Sequence, residues 1–242
     1  MPDCTSDEIN GLKLIQPAVG PRVNMDTVLL ASWVKKTRGN SKFLEAGCSA
    51  GAVSLLLASK FTKNFYITGF DIQSELIKIA NTNAQNNNLS DRVSFVAGDL
   101  RDKNLFPRES FDGIVINPPY SSVRAGRESN DLSRSTARLE VSCTPDDVGE
   151  FAFRSLKSRG RLFAVFASAR LDVFMNSMIK YKIIPKRLKP VYPKINANSG
   201  IFLIECIKNG GEGLVLMPPL IIRKANNDYT KELLDAYETL RS

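Results

Sequence analysis

The tetrapeptide from Asn117 to Tyr120, with the sequence Asn-Pro-Pro-Tyr, carries the clearest chemical signal in this chain. An exocyclic amine is a poor nucleophile because its lone pair is delocalised into the ring that bears it. The side-chain oxygen of Asn117 and the carbonyl oxygen of Pro118 can accept hydrogen bonds from both N–H groups of such an amine, so that its lone pair points at an electrophile. The ring of Tyr120 supplies a face on which a base outside its helix can stack. We therefore predict group transfer to a planar amino group, with Asn117, Pro118, Pro119 and Tyr120 as the catalytic residues.

A turn of small residues, from Gly47 to Gly51, follows the acidic residue Glu45. Such a turn before a helix lets a ligand approach the backbone closely and offers it N–H groups. Asp71 stands 20 residues after Gly51, a separation at which a carboxylate can accept both hydroxyls of a ribose. The spacing G-x-x-x-G is not the dinucleotide pattern G-x-G-x-x-G, and the acidic Glu45 favours a cationic or neutral ligand over a phosphate. Glu45, Gly47, Gly51 and Asp71 are therefore predicted to bind a nucleoside-type cofactor.

Asp99 and Leu100 form a third candidate group for the same ligand. The carboxylate of Asp99 can accept a hydrogen bond from the amino group of an adenine, and Leu100 can pack on the ring. A polar strand end explains Asp99 about equally well when the residue is taken alone. We add Ile72, which follows Asp71, and Asn117 to the predicted cofactor-binding residues.

The elements that must position these residues follow from an alternation of strand-like and helix-like apolar runs, which predicts a parallel sheet with helices on both faces. Predicted strands cover 42–46, 65–71, 92–97, 111–116, 161–166, 183–191, 200–207 and 214–217. Predicted helices cover 27–36, 53–58, 74–86, 146–156, 172–180 and 231–240. The candidate residues end the first four strands, so they share the edge at which open α/β sheets bind ligands. We predict one domain over 1–242, with a helical extension over 1–40.

The composition excludes several classes of site. The chain has no histidine, which removes Ser-His-Asp triads, Cys-His dyads and imidazole-based zinc sites. Its four cysteines lie far apart without a C-x-x-C pair, so we predict neither a disulfide framework nor a metal site. No apolar run approaches the roughly 18 residues of a membrane span, and the polar N-terminus lacks the pattern of a signal peptide. We therefore expect a cytoplasmic protein without membrane contact.

The net charge of +8 favours a polyanionic partner. Residues 180–194 contain six basic residues and no acidic one, with two tyrosines among them, which suits the tracking of phosphates. A solvated basic face is the alternative interpretation. The polar stretch 121–142 follows the tetrapeptide directly and is long enough to be a functional loop. The predicted nucleic-acid contacts are Lys186, Arg187 and Lys189 in the first segment and Arg124, Arg127 and Arg138 in the second.

The same residues carry a resemblance to known enzymes. Glu45-x-Gly47-x-x-x-Gly51, Asp71, Asp99 and the tetrapeptide resemble the class I S-adenosylmethionine-dependent methyltransferases that methylate planar amino groups. More narrowly, the chain from about residue 10 to about residue 240 resembles the bacterial tRNA1(Val) adenine-37 N6-methyltransferase family. That narrower resemblance is carried by Gln16, 20–23, 26–31, 137–140, 219–220 and 229–232.

The resemblance implies a Rossmann-like three-layer α/β sandwich with a mostly parallel seven-stranded sheet. It implies transfer of a methyl group from S-adenosylmethionine to the N6 amine of an adenosine in tRNA, with adenine 37 of tRNA1(Val) as the expected target. Asn117 and Pro118 would orient the amine, Tyr120 would stack the base, and the residues predicted to bind a nucleoside would hold the cofactor. We expect a monomer that has tRNA as its partner.

Other functions remain open at this point. A protein glutamine N5-methyltransferase poses the same lone-pair problem, but that family usually has an additional N-terminal helical domain, and only about 40 residues precede the first predicted strand. A DNA N6-adenine methyltransferase usually has a separate target-recognition domain, for which this chain has no room. A catalytically silent RNA-binding protein is the alternative outside enzymes, because Ser49 stands where the family usually has a second glycine. The chain also departs from the family at Pro21, Val23 and Leu139.

Overall fold

The computed structural model describes residues 3–37, 39–61, 63–118 and 143–240. The strands in these ranges are β1 (Cys4–Ile9), β2 (Leu12–Pro17), β3 (Ser41–Ala46), β4 (Phe65–Asp71), β5 (Val93–Ala97), β6 (Phe111–Ile116), β7 (Leu156–Ala167), β8 (Ile183–Tyr192), β9 (Ile201–Lys208), β10 (Val215–Leu216) and β11 (Leu220–Ile221). The helices are α1 (Met25–Trp33), α2 (Ala52–Lys60), α3 (Ser74–Asn86), α4 (Pro145–Ser155), α5 (Leu171–Lys180) and α6 (Lys231–Glu238). The predicted site residues Pro119, Tyr120, Arg124, Arg127 and Arg138 lie outside the described residues.

The central sheet has nine strands in the order β10-β8-β9-β7-β6-β3-β4-β5, with β11 also paired to β8. Strands β7, β6, β3, β4 and β5 run parallel, and β9 runs antiparallel between β7 and β8. Seven strands, β3 to β9, form the core of the sheet, whereas β10 and β11 are two-residue strands at its β8 side. The predicted mostly parallel seven-stranded sheet is therefore confirmed.

Both faces of this sheet are covered, and its central strands accordingly carry apolar residues on both faces. Phe43 of β3 belongs to one core together with Leu29 of α1. The next residue, Leu44, belongs to the other core, with Phe151 of α4 and Phe174 of α5. Alternate side chains of one strand thus serve two cores, and the protein has the three layers that the resemblance implied.

The amino-terminal extension differs from the predicted helix. Residues 4–17 form an antiparallel hairpin in which Cys4 pairs with Pro17 and Ile9 with Leu12. The prediction of a helical extension over 1–40 is therefore wrong for this part, and only α1 is helical. The hairpin escaped prediction because β1 is polar and mostly exposed, so it lacks the alternating pattern of a half-buried strand.

Helix α1 begins two residues earlier and ends three residues earlier than predicted, and side chains cap both of its ends. Asn24 and Thr27 form a capping box, in which the Thr27 N–H donates to Asn24 Oδ1 at 3.1 Å. At the other end, Lys60 Nζ donates to three carbonyl groups of the segment 31–34 at 2.9–3.0 Å. The helix therefore stops at Trp33 instead of continuing to residue 36. No helix in the described ranges has the length and apolar character needed to cross a membrane.

Candidate active site

Four neighbouring strands bring most of the described candidate residues to one edge of the sheet. Strands β6, β3, β4 and β5 lie side by side in that order. Asp71 is the last residue of β4, whereas Asn117 directly follows β6, Gly47 directly follows β3, and Asp99 lies two residues after β5. Because the four strands are parallel, these residues meet at one edge, which we call the carboxyl edge.

The turn after β3 has a backbone conformation that small residues permit. Gly47, Ser49 and Gly51 have positive φ angles of 70°, 49° and 85°. A Cβ atom on Gly51 would lie 2.5 Å from the ring of Phe95, so this position requires glycine. A Cβ atom on Gly47 would meet no atom within 4 Å. The backbone beside Gly47 is therefore open to a ligand.

Glu45 lies beneath this turn and is only 4% exposed. Its Oε2 atom accepts hydrogen bonds from the backbone N–H of Ser54, at 2.9 Å, and from the Ser54 hydroxyl. Burial raises the pKa of Glu45 to about 8, Asp71 adds to the rise, and the two bonds from Ser54 oppose it. The Glu45 carboxyl group thus occupies the Ser54 N–H at the start of α2, which would otherwise be available to a bound phosphate. A cation nearby would favour the ionised form of Glu45.

Asp71 ends β4 and is 8% exposed. Its Oδ2 atom accepts a hydrogen bond from the N–H of Ser49 at 3.0 Å, and Oδ1 accepts one from Gln73 at 2.9 Å. These bonds fix the carboxylate, and each of its oxygens retains acceptor capacity for a hydroxyl group. Ile72 beside it is 49% exposed, so an apolar contact is present at the same edge.

Asp99 is already engaged by a basic neighbour. Arg101 donates to it through Nε, at 3.0 and 3.1 Å, and also through Nη2 and the backbone N–H. The bonds from Arg101 hold the pKa of Asp99 below its ordinary value. Behind this segment, Arg154 Nη2 donates to the carbonyl of Leu100 at 3.3 Å. An adenine that bonded to Asp99 would therefore have to displace Arg101 or share the carboxylate with it.

A cavity of about 110 Å³ lies at the carboxyl edge, between the turn after β3 and Asn117. Its lining includes Glu45, Gly47 and Ser49 as well as Asn117. Pro118, which follows Asn117, is buried. The structure therefore brings the residue predicted to orient an amine to the same cavity as the turn predicted to bind the cofactor.

The amino-terminal extension supplies a wall of this cavity that sequence reasoning did not assign. Gln16 and Arg22 both line the cavity. Gln16 Nε2 donates to Asp7 Oδ2 at 2.7 Å, and its Oε1 accepts the N–H of Val23 at 2.6 Å. Arg22 forms an ion pair with the same oxygen of Asp7 at 2.7 Å. Gln16 and Arg22 belong to the segments that carry the family resemblance, which is the signal that could have identified them.

Two asparagines, Asn83 of α3 and Asn87 directly after its last residue, hold the hairpin in place. Asn83 accepts the N–H of Ile15 at 2.7 Å and donates to its carbonyl at 2.8 Å. Asn87, one helical turn later, makes the same pair of bonds with Lys13 at 3.0 and 2.8 Å. Asn83 also donates to the carbonyl of Ala50 in the turn after β3, at 3.0 Å. The two carboxamides thus supply β2 with the hydrogen bonds that a neighbouring strand would otherwise make at this edge.

The predicted nucleic-acid contacts on β8 lie away from this cavity and are engaged within the chain. Strand β8 is four positions from β3 in the sheet, or about 19 Å at the usual strand spacing. Arg187 pairs with the buried Glu205 at 2.9 Å and stacks 4.4 Å from the centre of the Trp33 ring system. Lys189 pairs with Glu232, and Lys186 donates to two carbonyl groups at 2.7 and 3.1 Å. The structure does not bring these three residues to the cavity.

A larger groove, of about 680 Å³, lies between Phe106, Phe153 and Tyr181 on the α4 and α5 side of the sheet. None of the described site residues predicted from the sequence lines it. We place the site at the smaller cavity because that cavity joins the ends of neighbouring parallel strands. Among the described residues, no group of three His, Cys, Asp or Glu side chains is arranged to hold a metal ion.

Comparisons with known proteins agree with this fold. A family model described as a methyltransferase domain matches residues 37–185. A protein of Agrobacterium tumefaciens described as a predicted O-methyltransferase has a similar structure, with a TM-score of 0.72 and 19% identity, over 90% of this chain and 97% of that one. At this identity the likeness concerns the fold alone, and it confirms the class I methyltransferase fold that the resemblance implied.

Bacterial relatives bear the name of the narrower family. A tRNA1(Val) (adenine(37)-N6)-methyltransferase of Mannheimia succiniciproducens is 26% identical over 61% of this chain and 60% of its own length. A protein of the same name from Haemophilus influenzae is 23% identical over 91% of both chains. A third, from Yersinia enterocolitica, is 31% identical over 52% of this chain and 49% of its own. The chain thus spans between half and three fifths of two of these relatives and most of the other, and the resemblance noted in its sequence is confirmed.

Proposed function

Because this chain belongs to the family of methyltransferase domains, we propose that it transfers a methyl group from S-adenosylmethionine to the N6 amine of adenine 37 in tRNA1(Val). One observation carries the proposal: Asn117 and the turn from Gly47 to Ser49 line the same cavity. The names of the relatives support this choice of acceptor. We further propose that the protein is a monomer, that it acts in the cytoplasm, and that residues 1–242 form one domain.

The described residues fit S-adenosylmethionine at the turn after β3. The backbone beside Gly47 is open, Asp71 is fixed with acceptor capacity for two ribose hydroxyls, and Glu45 supplies a carboxyl group close to the cavity. When bound, S-adenosylmethionine supplies an electrophilic methyl group on a cationic sulfur. The acidic side chain of Glu45 suits such a cation better than it suits a phosphate.

The chain's own contribution is to position the amine. Asn117 Oδ1 and the Pro118 carbonyl accept its two N–H groups, so that the nitrogen lone pair faces the methyl carbon. Tyr120, the last residue of the tetrapeptide, would stack on the adenine. Methyl transfer to this nitrogen would break the bond between the methyl carbon and the cationic sulfur; the sulfur would keep the electron pair and leave as a neutral thioether, and one proton of the amine would pass to water. Catalysis by orientation needs no imidazole, which agrees with a chain that has no histidine.

The test is methyl transfer from labelled S-adenosylmethionine to tRNA1(Val) and to the same tRNA with guanine at position 37. We expect labelled N6-methyladenosine in the first RNA and none in the second. Label in both RNAs would place the target at another adenosine. If neither RNA is labelled while the cofactor binds, the acceptor is wrong, and the same assay with DNA and with glutamine-containing protein decides between the two remaining acceptors.

Asn117 can be tested separately from the substrate. Asn117→Ala is expected to lower kcat by about 100-fold or more, because orientation of the amine is lost, while the Kd of the cofactor changes only a few-fold. Asn117→Asp keeps an acceptor oxygen and should retain more activity. Asn176→Ala removes an amide from an exposed position on α5 and serves as the matched control. Near-normal turnover by Asn117→Ala with tRNA would refute this mechanism.

A further inference from the structure

Basic residues continue along the carboxyl edge beyond the cavity. Strands β7, β8 and β11 run in the same direction as β3, so the segments that follow them emerge at the same edge. These segments carry Arg170 after β7, Lys194 after β8, and Arg223 and Lys224 after β11. We call these four residues the basic rim. The carboxylates of the same segments are Asp172 and Asp228, so the rim is positive overall.

The part of the rim after β11 is a well-defined turn. Arg223 forms an antiparallel bridge with Tyr229, and the N–H of Lys224 donates to the carbonyl of Asp228 at 2.8 Å. The N–H of Arg223 also donates to the carbonyl of Pro193 at 3.1 Å, next to Lys194. Backbone bonds therefore fix the two segments that carry Lys194, Arg223 and Lys224 relative to each other.

Arg223 and Tyr229 form a stacked pair on this turn. The guanidinium carbon lies 4.3 Å from the centre of the tyrosine ring. Nη2 donates to the Tyr229 hydroxyl at 3.1 Å, and Nη1 donates to the carbonyl of Asn227 at 2.7 Å. The tyrosine nevertheless remains 42% exposed. A planar cation and an aromatic ring held in this way lose little freedom when they meet a base or a phosphate.

The lysines of the rim are available to a partner. Lys194 and Lys224 are exposed, and neither has an ion-pair partner among the described residues. This distinguishes them from Arg187 and Lys189 on the same side of the sheet, which pair with Glu205 and Glu232. Cations with unpaired charge contribute more to phosphate binding than cations already neutralised within the chain.

The distance between rim and cavity suits one nucleic-acid strand. Strand β11 pairs with β8 on the side away from β9, so it is four positions from β6, which ends at the cavity, and four strand spacings make about 19 Å. Phosphates of a stacked strand repeat every roughly 3.4 Å along its axis, so this span corresponds to about six nucleotides. An RNA with one base in the cavity therefore reaches the rim without leaving the protein surface.

We propose that the basic rim binds the sugar-phosphate backbone of the RNA substrate, and that the Arg223–Tyr229 pair stacks on an unpaired base about six nucleotides from the target. This inference rests on the proposed function, which names the RNA. The sequence predicted RNA contacts at Lys186, Arg187 and Lys189 of β8. We propose instead that, in the described part of the chain, the principal RNA contact is formed by Lys194 after β8 and by the turn after β11.

The experiment measures tRNA binding as a function of salt concentration for two matched double variants. Lys194→Ala with Lys224→Ala removes two rim charges, whereas Lys42→Ala with Lys63→Ala removes two exposed charges from the opposite edge of the sheet. Loss of two phosphate contacts should reduce the slope of log K against log salt by about 1.4 to 1.8. We expect this reduction only in the rim variant, with its KM for tRNA raised and its KM for the cofactor unchanged. Equal slopes in the two variants would overturn the proposal.

The stacking part has its own comparison. Tyr229→Ala should weaken tRNA binding by about 5- to 100-fold, the range for loss of one base-stacking ring. Tyr229→Phe keeps the ring and should bind nearly as the unchanged protein does. Equal binding by all three would overturn the stacking role, whereas failure of the unchanged protein to methylate any tRNA would overturn the proposed function instead.

Discussion

Asn83 pairs with Ile15 as a neighbouring strand would, because its carboxamide bonds to both the N–H and the carbonyl of that residue. The same buried carboxamide donates to the carbonyl of Ala50 in the turn after β3. One side chain of α3 therefore joins the hairpin wall of the cavity to the turn proposed to hold the cofactor. The position of the wall is coupled to that of the turn through this residue.

Replacement of Asn83 should affect stability and cofactor binding together. Asn83→Ala leaves the N–H and carbonyl of Ile15 and the carbonyl of Ala50 without their partner, and we expect a loss of about 1–3 kcal/mol in the free energy of unfolding. The Kd of the cofactor should rise because the turn loses a support. Urea unfolding and calorimetric titration measure the two effects.

Asn87→Ala is the matched control for that variant, because Asn87 contacts Lys13 of the hairpin but not the turn. It should weaken hydrogen-exchange protection of the Lys13 N–H while the cofactor Kd stays within about twofold, since surface substitutions have small effects. If both variants changed the Kd of the cofactor equally, the hydrogen bond from Asn83 to the Ala50 carbonyl would not contribute to cofactor binding.

Substitution of the two glycines of the turn should affect different properties: Gly51→Ala should mainly lower stability, and Gly47→Ala should mainly weaken cofactor binding. Gly51→Ala drives a methyl group into the ring of Phe95, and we expect it to lower stability by about 1–3 kcal/mol. Gly47→Ala meets open space, so its cost is only that of a positive φ angle, about 1 kcal/mol. Its new methyl group should instead obstruct the cofactor and raise the Kd by 10-fold or more, on the order of one lost close contact. A normal Kd for Gly47→Ala would place the cofactor elsewhere.

Arg101 should compete with the cofactor for Asp99. The pair is partly exposed, so its removal frees the carboxylate at a cost below about 1 kcal/mol. Arg101→Ala is therefore expected to raise the affinity for S-adenosylmethionine by up to about 5-fold, whereas Asp99→Ala should lower it. Titration with S-adenosylhomocysteine gives the same comparison without turnover. Weaker binding by Arg101→Ala would mean that the arginine itself contacts the ligand.

Glu45 should make cofactor binding depend on pH. Without ligand its pKa is raised to about 8 by burial, so the carboxyl is mostly protonated at neutral pH. A bound cation favours the ionised form, and affinity should therefore rise with pH and level off above about pH 8, with a limiting slope of about tenfold per unit. Glu45→Gln cannot ionise and should show a flat profile. If cofactor affinity depended on pH in the same way in Glu45→Gln and in the unchanged protein, the titrating group would be a residue other than Glu45.

The same group predicts how stability changes with pH. The folded state holds the Glu45 proton to about pH 8, whereas the unfolded chain releases it near the ordinary value of about 4.3. Between these two pKa values the folded state therefore binds more protons than the unfolded state. The stability that Glu45 contributes is fully present below the unfolded pKa and is lost as pH rises through the folded pKa. Urea unfolding across the interval should show a smaller decline for Glu45→Gln.

Much of this architecture was predictable from the sequence, because it depends on local patterns. Strands β3, β4 and β6 place apolar side chains on both faces because both faces of the sheet are covered, and Glu45, Asp71 and Asn117 mark their carboxyl ends. Parallel strands bring such ends to one edge whatever the loops do. The location of the cavity at this edge, and the presence there of the turn and of Asn117 directly after β6, followed from these rules and from the family resemblance.

Tertiary structure alone decided which side chains are already in use. Arg187 was predicted to contact RNA, but the structure pairs it with Glu205, 18 positions further along the chain. Asn83 bonds to Ile15 across 68 positions of the chain. The local pattern around each residue carries no trace of its partner, because such bonds form only when the fold brings distant segments together. The sequence therefore predicted which strand ends meet at the cavity, and packing determined which of the remaining polar and basic groups already have partners within the chain.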